Sequence, residues 1–312
     1  MPTTLPTWAA SWIEALLCLE WLRRKPKLYL CGQMYGGALE IIEPNVATGG
    51  CVHPPQQLMM SLPEMPFASA AVLCQKIHIC GGTTVDHFCF DPSVGLWEPR
   101  APLHTARRWA CAVVIQEKLY VCGGFDGANA LASVEIYDPA TDTWSFGPPL
   151  LQPRTAACAA ALGLKLYICG GNTLATATTV EIFDYQTNTW SLGPPLTVPR
   201  GEACMAVHAD HIYVCGGRGI DSDAALNSVE RLEGGTVWQP YGVLESPRRQ
   251  ASAVSFGEQR LLVACGCDYG SDDDADLVFH HDIETLDAPG EAILLPRMPE
   301  RTPRCAFTML VL

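Results

Sequence analysis

Basic residues are scarce in this 312-residue chain: 20 Lys and Arg stand against 33 Asp and Glu, a formal net charge of −13. That balance argues against non-specific binding to nucleic acid or to an anionic membrane, both of which need a basic footprint. Long apolar runs are also missing. The most apolar stretch near the start, Trp12 to Leu22, is broken by Glu14 and Glu20 and followed by Arg23-Arg24-Lys25. A secretory signal has the opposite order, and a spanning helix needs a longer uninterrupted run. Neither a G-x-S-x-G elbow nor a phosphate-cradling G-x-x-x-x-G-K occurs. Cysteine, by contrast, is plentiful at 15, an odd count, and most of it lies inside apolar runs beside Val, Ile or Ala. A disulfide framework would be shorter and would keep its cysteines in loops. The expectation is a reduced, intracellular protein, cytoplasmic or nuclear. Apolar residues make up 48%, enough for a sizeable core.

The chain repeats itself. Lys118-Leu-Tyr-Val-Cys-Gly-Gly124, then Val134-Glu-Ile-Tyr-Asp138 and Trp144, returns as Lys165-Leu-Tyr-Ile-Cys-Gly-Gly171, Val180-Glu-Ile-Phe-Asp184 and Trp190. Aligning the Cys-Gly step gives Cys31, Cys80, Cys122, Cys169, Cys215 and Cys265, separated by 49, 42, 47, 46 and 50 residues. Each unit holds four short strand-like runs bounded by Gly, Pro, Asn or Asp, the composition of a β-propeller blade. The expected fold is therefore all-β: a six-bladed propeller over 27–312, with 1–26 as a short appendage in which the near-helical spacing of Trp8, Trp12, Leu16 and Leu19 predicts a helix. The segment from Pro303 to Leu312 matches the first-strand segments of other units, so it is expected to pair with Lys27–Cys31 and close the ring, leaving no free sheet edge there.

Two-residue turns at 116–117, 163–164 and 209–210 join first and second strands. They set Cys111 opposite Cys122, Cys158 opposite Cys169 and Cys204 opposite Cys215. Such pairs serve either as small apolar packing groups or as redox or soft-metal sites; the disulfide dihedral is hard to meet across a regular ladder, and each pair offers only half a zinc ligand set. A second constellation is a ring of arginines. Arg107, Arg154, Arg200, Arg248 and Arg304 each precede a first strand at one repeat position, and in the unit starting near Met65 the arginine is replaced, on this reading by Phe67. Their forked donors suit carboxylate or phosphate at one mouth of the channel, or carbonyls within the fold; both roles stay open. A third, the acidic run Ser271-Asp-Asp-Asp-Ala-Asp276, lacks the glycine and terminal glutamate of a calcium loop and reads as solvated.

The doubled glycine, the aromatic-Asp-Pro turn and the spaced tryptophan together resemble the kelch repeat, over roughly residues 27–312. The chain resembles in particular the kelch domains of BTB-containing cullin adaptors. The resemblance implies that Arg107, Arg154 and Arg200, with Arg248 and Arg304, bind an acidic peptide of a protein partner, helped by Phe125, Asn172 and Arg218 just after the glycine pairs, with Thr83 in the same row. It further implies a substrate-recognition adaptor of a ubiquitin ligase working through a separate scaffold subunit. The alternative is a cytoskeletal, actin-binding role. Kelch-type enzymes are disfavoured: the eight histidines are scattered, and no Glu-x-x-x-Asp-x-x-x-His spacing occurs. No cofactor, metal or catalytic residue is expected.

Overall fold

The computed structural model describes the backbone of residues 65–256 and of 28–32, 39–42, 44–45, 50–51, 56–58, 260–269, 277–280, 282–288, 291–295 and 307–311. Side chains are described for 65–256, 260–268, 278, 280 and 282–286. The N-terminal appendage and Arg304 lie outside these residues, as does the acidic run at 271–276.

The architecture is an all-β propeller, and no helix occurs among the described residues. Five antiparallel four-stranded blades follow one another along the chain. Blade A comprises Ser69–Leu73, Lys76–Cys80, His87–Asp91 and Leu96–Pro99. Blade B comprises Cys111–Ile115, Lys118–Cys122, Val134–Asp138 and Thr143–Gly147. Blade C comprises Cys158–Leu162, Lys165–Cys169, Val180–Asp184 and Thr189–Leu192. Blade D comprises Cys204–His208, His211–Cys215, Ser228–Glu233 and Val237–Val243. Blade E comprises Ser252–Phe256, Arg260–Ala264, Ile283–Ala288 and Glu291–Leu295. A further sheet is ordered Phe307–Val311, Leu28–Gly32, Leu39–Ile42, Gln56–Leu58.

Second strands such as Leu119-Tyr120-Val121-Cys122 are apolar at successive positions because neighbouring blades cover both faces of the sheet. The hairpins place Cys111 opposite Cys122, Cys158 opposite Cys169 and Cys204 opposite Cys215, the register read from the turns. Each first-strand thiol donates to its partner's carbonyl at 3.5–3.6 Å, and all six cysteines are free and buried. Burial pushes the Cys122 and Cys169 thiols well above the usual range and Cys80 up to about 12. A protonated, inaccessible thiol is neither nucleophile nor ligand. These cysteines pack the blades.

The tryptophans staple the chain as it crosses between blades. Trp144, Trp190 and Trp238 donate their indole N–H to the carbonyls of Ala101, Pro148 and Pro194, at 2.8, 2.9 and 3.0 Å. Each acceptor lies where the chain enters that tryptophan's own blade. The ring packs on the third-strand aromatic, as Trp144 does on Tyr137 and Trp190 on Phe183.

Candidate functional site

The four described ring arginines do not line the channel. Arg107, Arg154, Arg200 and Arg248 are 0, 2, 0 and 0% exposed, and each reaches into its own blade. Arg107 pairs with Glu135 at 2.7 Å and donates to the carbonyls of Gly123 and Ser133, both at 2.9 Å. Arg154 repeats this with Glu181, Gly170 and Thr179, and Arg200 with Glu230, Gly216 and Ser228. In blade E, Arg248 holds both Glu284 and Asp282, the latter standing where blades B to D carry Ser133, Thr179 or Ser228. The glutamate is the second residue of the third-strand run, Val-Glu-Ile in blades B and C, Val-Glu-Arg in D and Ile-Glu-Thr in E, and it also accepts main-chain N–H groups of the entering segment, as Glu135 does from His104 and Thr105. The arginine's own carbonyl meets the preceding blade, where Gly124 N–H donates to Arg154 and Gly171 N–H to Arg200. Each arginine thus ties its blade to the blade before. This corrects the assignment of Arg107, Arg154, Arg200 and Arg248 as ligand-binding residues: each guanidinium is buried and paired with a carboxylate inside its own blade, out of a partner's reach.

The replacement in blade A also differs from the expectation. Gly82, equivalent to Gly124, lies against Pro66 and Ala68 as Gly124 lies against Arg108 and Ala110. The arginine position is therefore Met65, and Phe67 is two residues beyond it. Phe88 takes the place of the glutamate, and Met65 and Phe88 pack in one apolar cluster. Blade A has exchanged the ion pair for a hydrophobic one.

Phe67 belongs instead to a belt around the channel mouth. Phe67, Trp109, Ala156, Glu202 and Gln250 occupy equivalent positions, all with φ between 51° and 62°. The N–H of each donates to the carbonyl of the one before: Trp109 to Phe67, Ala156 to Trp109, Glu202 to Ala156, Gln250 to Glu202. The hydrogen bonds hold the backbone in a conformation that bulky residues resist. Below the belt lies a channel cavity of about 380 Å³ lined by small side chains of the first strands, such as Ala70, Ala112, Ala159 and Ala253. No His or Tyr lines it, and no cluster of three metal-ligating side chains occurs among the described residues.

The mouth has two unlike halves. On the side of blades C to E, Glu202 gathers Arg218 at 3.2 Å, Gln250 at 2.9 Å, Asn172 at 3.4 Å and Arg249 at 4.0 Å. Arg218 also pairs with Asp223. The charges of this half are paired with one another. On the side of blades A and B, the Phe67 and Trp109 rings lie 4.8 Å apart and Trp109 and Phe125 lie 6.4 Å apart. Arg108 sits over both Trp109 and Phe125, at 5.5 and 5.3 Å, and its backbone pairs with that of Phe125. Of the loop residues expected at the mouth, the structure brings Asn172 and Arg218 together on Glu202 and sets Phe125 beside Arg108; Thr83 is exposed. Arg108, Trp109, Glu202 and Gln250 escape a sequence reading because their residue types do not recur from unit to unit.

A second polar cluster lies between blades A and B. Cys89, His78, His87 and the Ala101 carbonyl form a chain of contacts at 3.5, 2.9 and 3.3 Å. The carbonyl can only accept, so His87 Nδ1 donates to it, His87 Nε2 accepts from His78 Nδ1–H, and His78 Nε2 accepts from the Cys89 thiol. Both rings are neutral in that arrangement. Burial lowers His78 to about 3 and His87 to about 4. Folded values lie below the unfolded 6.5, so the unfolded chain takes up protons first as pH falls. The stabilisation is complete above pH 6.5 and is lost toward pH 4 at about 1.4 kcal/mol per histidine per pH unit. The melting temperature is expected to drop between pH 7 and 4.5, and to drop less steeply in His78→Gln/His87→Gln. Equal slopes would remove the histidines from the account.

Comparison with known proteins agrees with the repeat. The Kelch motif matches residues 106–151 and 153–197. Two of the propeller's repeats are thus of the kelch type. The chain resembles Kelch-like protein 35 of Mus musculus and of Homo sapiens, each 30% identical over 137 residues, 37% of this chain and 22% of the relative. It is also 44% identical over 48 residues to spermatocyte protein spe-26 of Caenorhabditis elegans, 15% of this chain and 8% of that protein. The chain matches only about a fifth or less of the length of these relatives. The solved structure of YjhT superposes with a TM-score of 0.67 at 14% identity, covering 83% of this chain and 91% of that one, a likeness of fold alone.

Proposed function

We propose that this kelch propeller is a protein-interaction module that docks an acidic segment of a partner on the belt face, with Arg108 as the receiving cation. The observation that carries the reading is the contrast among the arginines near the mouth. Arg107, Arg154, Arg200 and Arg248 are consumed within the blades, and Arg218 and Arg249 stand beside Glu202. Among the described residues, Arg108 contacts ring faces and no carboxylate. Guanidinium donors left uncommitted at a surface favour a carboxylate. The resemblance to Kelch-like proteins supports partner binding, and an adaptor role in a ubiquitin ligase, through a separate scaffold subunit, belongs to the same proposal.

The test is affinity capture from lysate, comparing the unaltered protein with Arg108→Glu after both are found to melt alike. Loss of a defined partner set on charge reversal is the expected result. An identical set would move the docking face elsewhere, and co-sedimentation with actin filaments would favour the cytoskeletal reading.

We also propose that the ring counts six blades. Its support is that Leu28–Gly32 pairs antiparallel with Phe307–Val311, and that Phe307–Val311 lies beside the first strands of blades E and A. Deleting 303–312 is expected to give aggregated protein, by exposing blade edges; a soluble product with a single cooperative melt would contradict closure.

A further inference from the structure

We infer that the partner segment docks off-centre, over the seam between blades A and B, and that it carries a flat side chain, aromatic or proline, within two residues of its acidic group. The inference rests on the belt face being the docking face, and adds to it a position and a second recognition element.

Three observations lead there. The belt demands a left-handed backbone at every position, which glycine or asparagine would adopt most cheaply. Blades A and B place Phe67 and Trp109 at those positions, with φ of 62° and 52°. The hydrogen bonds from Trp109 to Phe67 and from Ala156 to Trp109 run through main-chain atoms, so ring side chains are not needed to make the belt. Next, Phe67, Trp109 and Phe125 are only half-buried and form a row of tilted rings at the rim. Rings in this state offer wide contact area with few rotamers to freeze. Finally, the two halves of the mouth differ in what they have left to give. Glu202 already holds Arg218, Gln250 and Asn172, so a ligand there would have to break existing contacts. Arg108 sits over Trp109 and Phe125 with no carboxylate among the described residues paired to it, so a partner's carboxylate can reach it without displacing an ion pair. A carboxylate on that edge brings neighbouring residues of the same segment over Trp109 and Phe67. A ring or proline stacks there, whereas a second acidic group would meet the negative faces of the rings.

The experiment is selection of a random-sequence, phage-displayed 12-residue peptide library on the whole chain, followed by titration of the best synthetic peptide using tryptophan fluorescence and calorimetry. The expected outcome is enrichment of Asp or Glu within two residues of Trp, Tyr, Phe or Pro. Trp109→Ala should weaken that peptide by about tenfold or more, as truncating an interface aromatic does, while Trp109→Phe stays within about threefold, a difference set by retained ring area. Both variants are first compared by thermal melting, since the belt hydrogen bonds do not use the indole. Peptides that need Arg108 but ignore Trp109→Ala would overturn the seam position and leave the acidic-segment reading standing. Peptides indifferent to both residues, or protected from binding by Glu202→Ala alone, would overturn the two together.

Discussion

Arg154→Met is expected to destabilise the propeller by about 3–5 kcal/mol, the cost of leaving a buried carboxylate without its partner. The carboxylate is that of Glu181, fully buried, which would keep only the N–H groups of Leu151 and Gln152. The carbonyls of Gly170 and Thr179 would lose their guanidinium donor as well. Urea denaturation of the purified protein reads the loss; where the variant is too unstable to purify, its fraction in the soluble lysate reads it. Blade A supplies the companion experiment. Met65 and Phe88 stand there in place of the arginine and glutamate, packed in an apolar cluster. Arg154→Met/Glu181→Phe should therefore recover part of the stability lost in the single variant, since a buried pair exchanged for apolar groups of similar size is often neutral. Recovery should be incomplete, because the Leu151 and Gln152 N–H groups then lose their acceptor, at about 1–3 kcal/mol for each one left unsatisfied. An Arg154 variant that melts normally but fails to bind a partner would restore the ligand-facing assignment.

Gly170→Ala is expected to cost on the order of 3 kcal/mol or more, from a clash added to backbone strain. At φ +71° its Cβ would lie 2.3 Å from the carbonyl oxygen of Arg200, a backbone atom of the next blade. That oxygen is held by Gly171 N–H, so it cannot withdraw without opening the junction between blades C and D. Gly163 is the control. It has φ +61°, yet nothing lies within 4 Å of its added Cβ. Gly163→Ala should therefore show the strain alone, about 1–2 kcal/mol. Chemical denaturation of the two variants side by side separates the terms: equal losses would mean that the close approach of Arg200 contributes nothing.

The blades were legible in the sequence because a propeller is a local repeat. Four strands close together in the chain form one sheet, so turn positions and hydrophobic runs suffice to set the register, as the Cys111–Cys122, Cys158–Cys169 and Cys204–Cys215 pairings illustrate. The Gly-Gly steps and the spaced tryptophans recur for the same reason, since each blade must meet its neighbour in the same way. Direction of a side chain was not legible. Arginine before a first strand reads equally as a ligand at the mouth or as a clamp, and only the position of Glu135, some 28 residues later in the chain and directly beside it in space, decides between them. The offset of Met65 and Phe67 was lost for a related reason: without its arginine, blade A keeps no sequence landmark, and the contacts of Gly82 together with the belt hydrogen bond from Trp109 identify the equivalent residues.

The amino-acid order by itself determined the repeat and the strand register, both of which depend on interactions within one unit. Which residues face a partner was decided by the tertiary structure. Belt hydrogen bonds between successive blades aim Phe67, Trp109 and Glu202 at the mouth, and buried carboxylates draw the ring arginines away from it. Arg108, one residue past a clamp, keeps its donor edge because it rests on two rings and meets no carboxylate among the described residues.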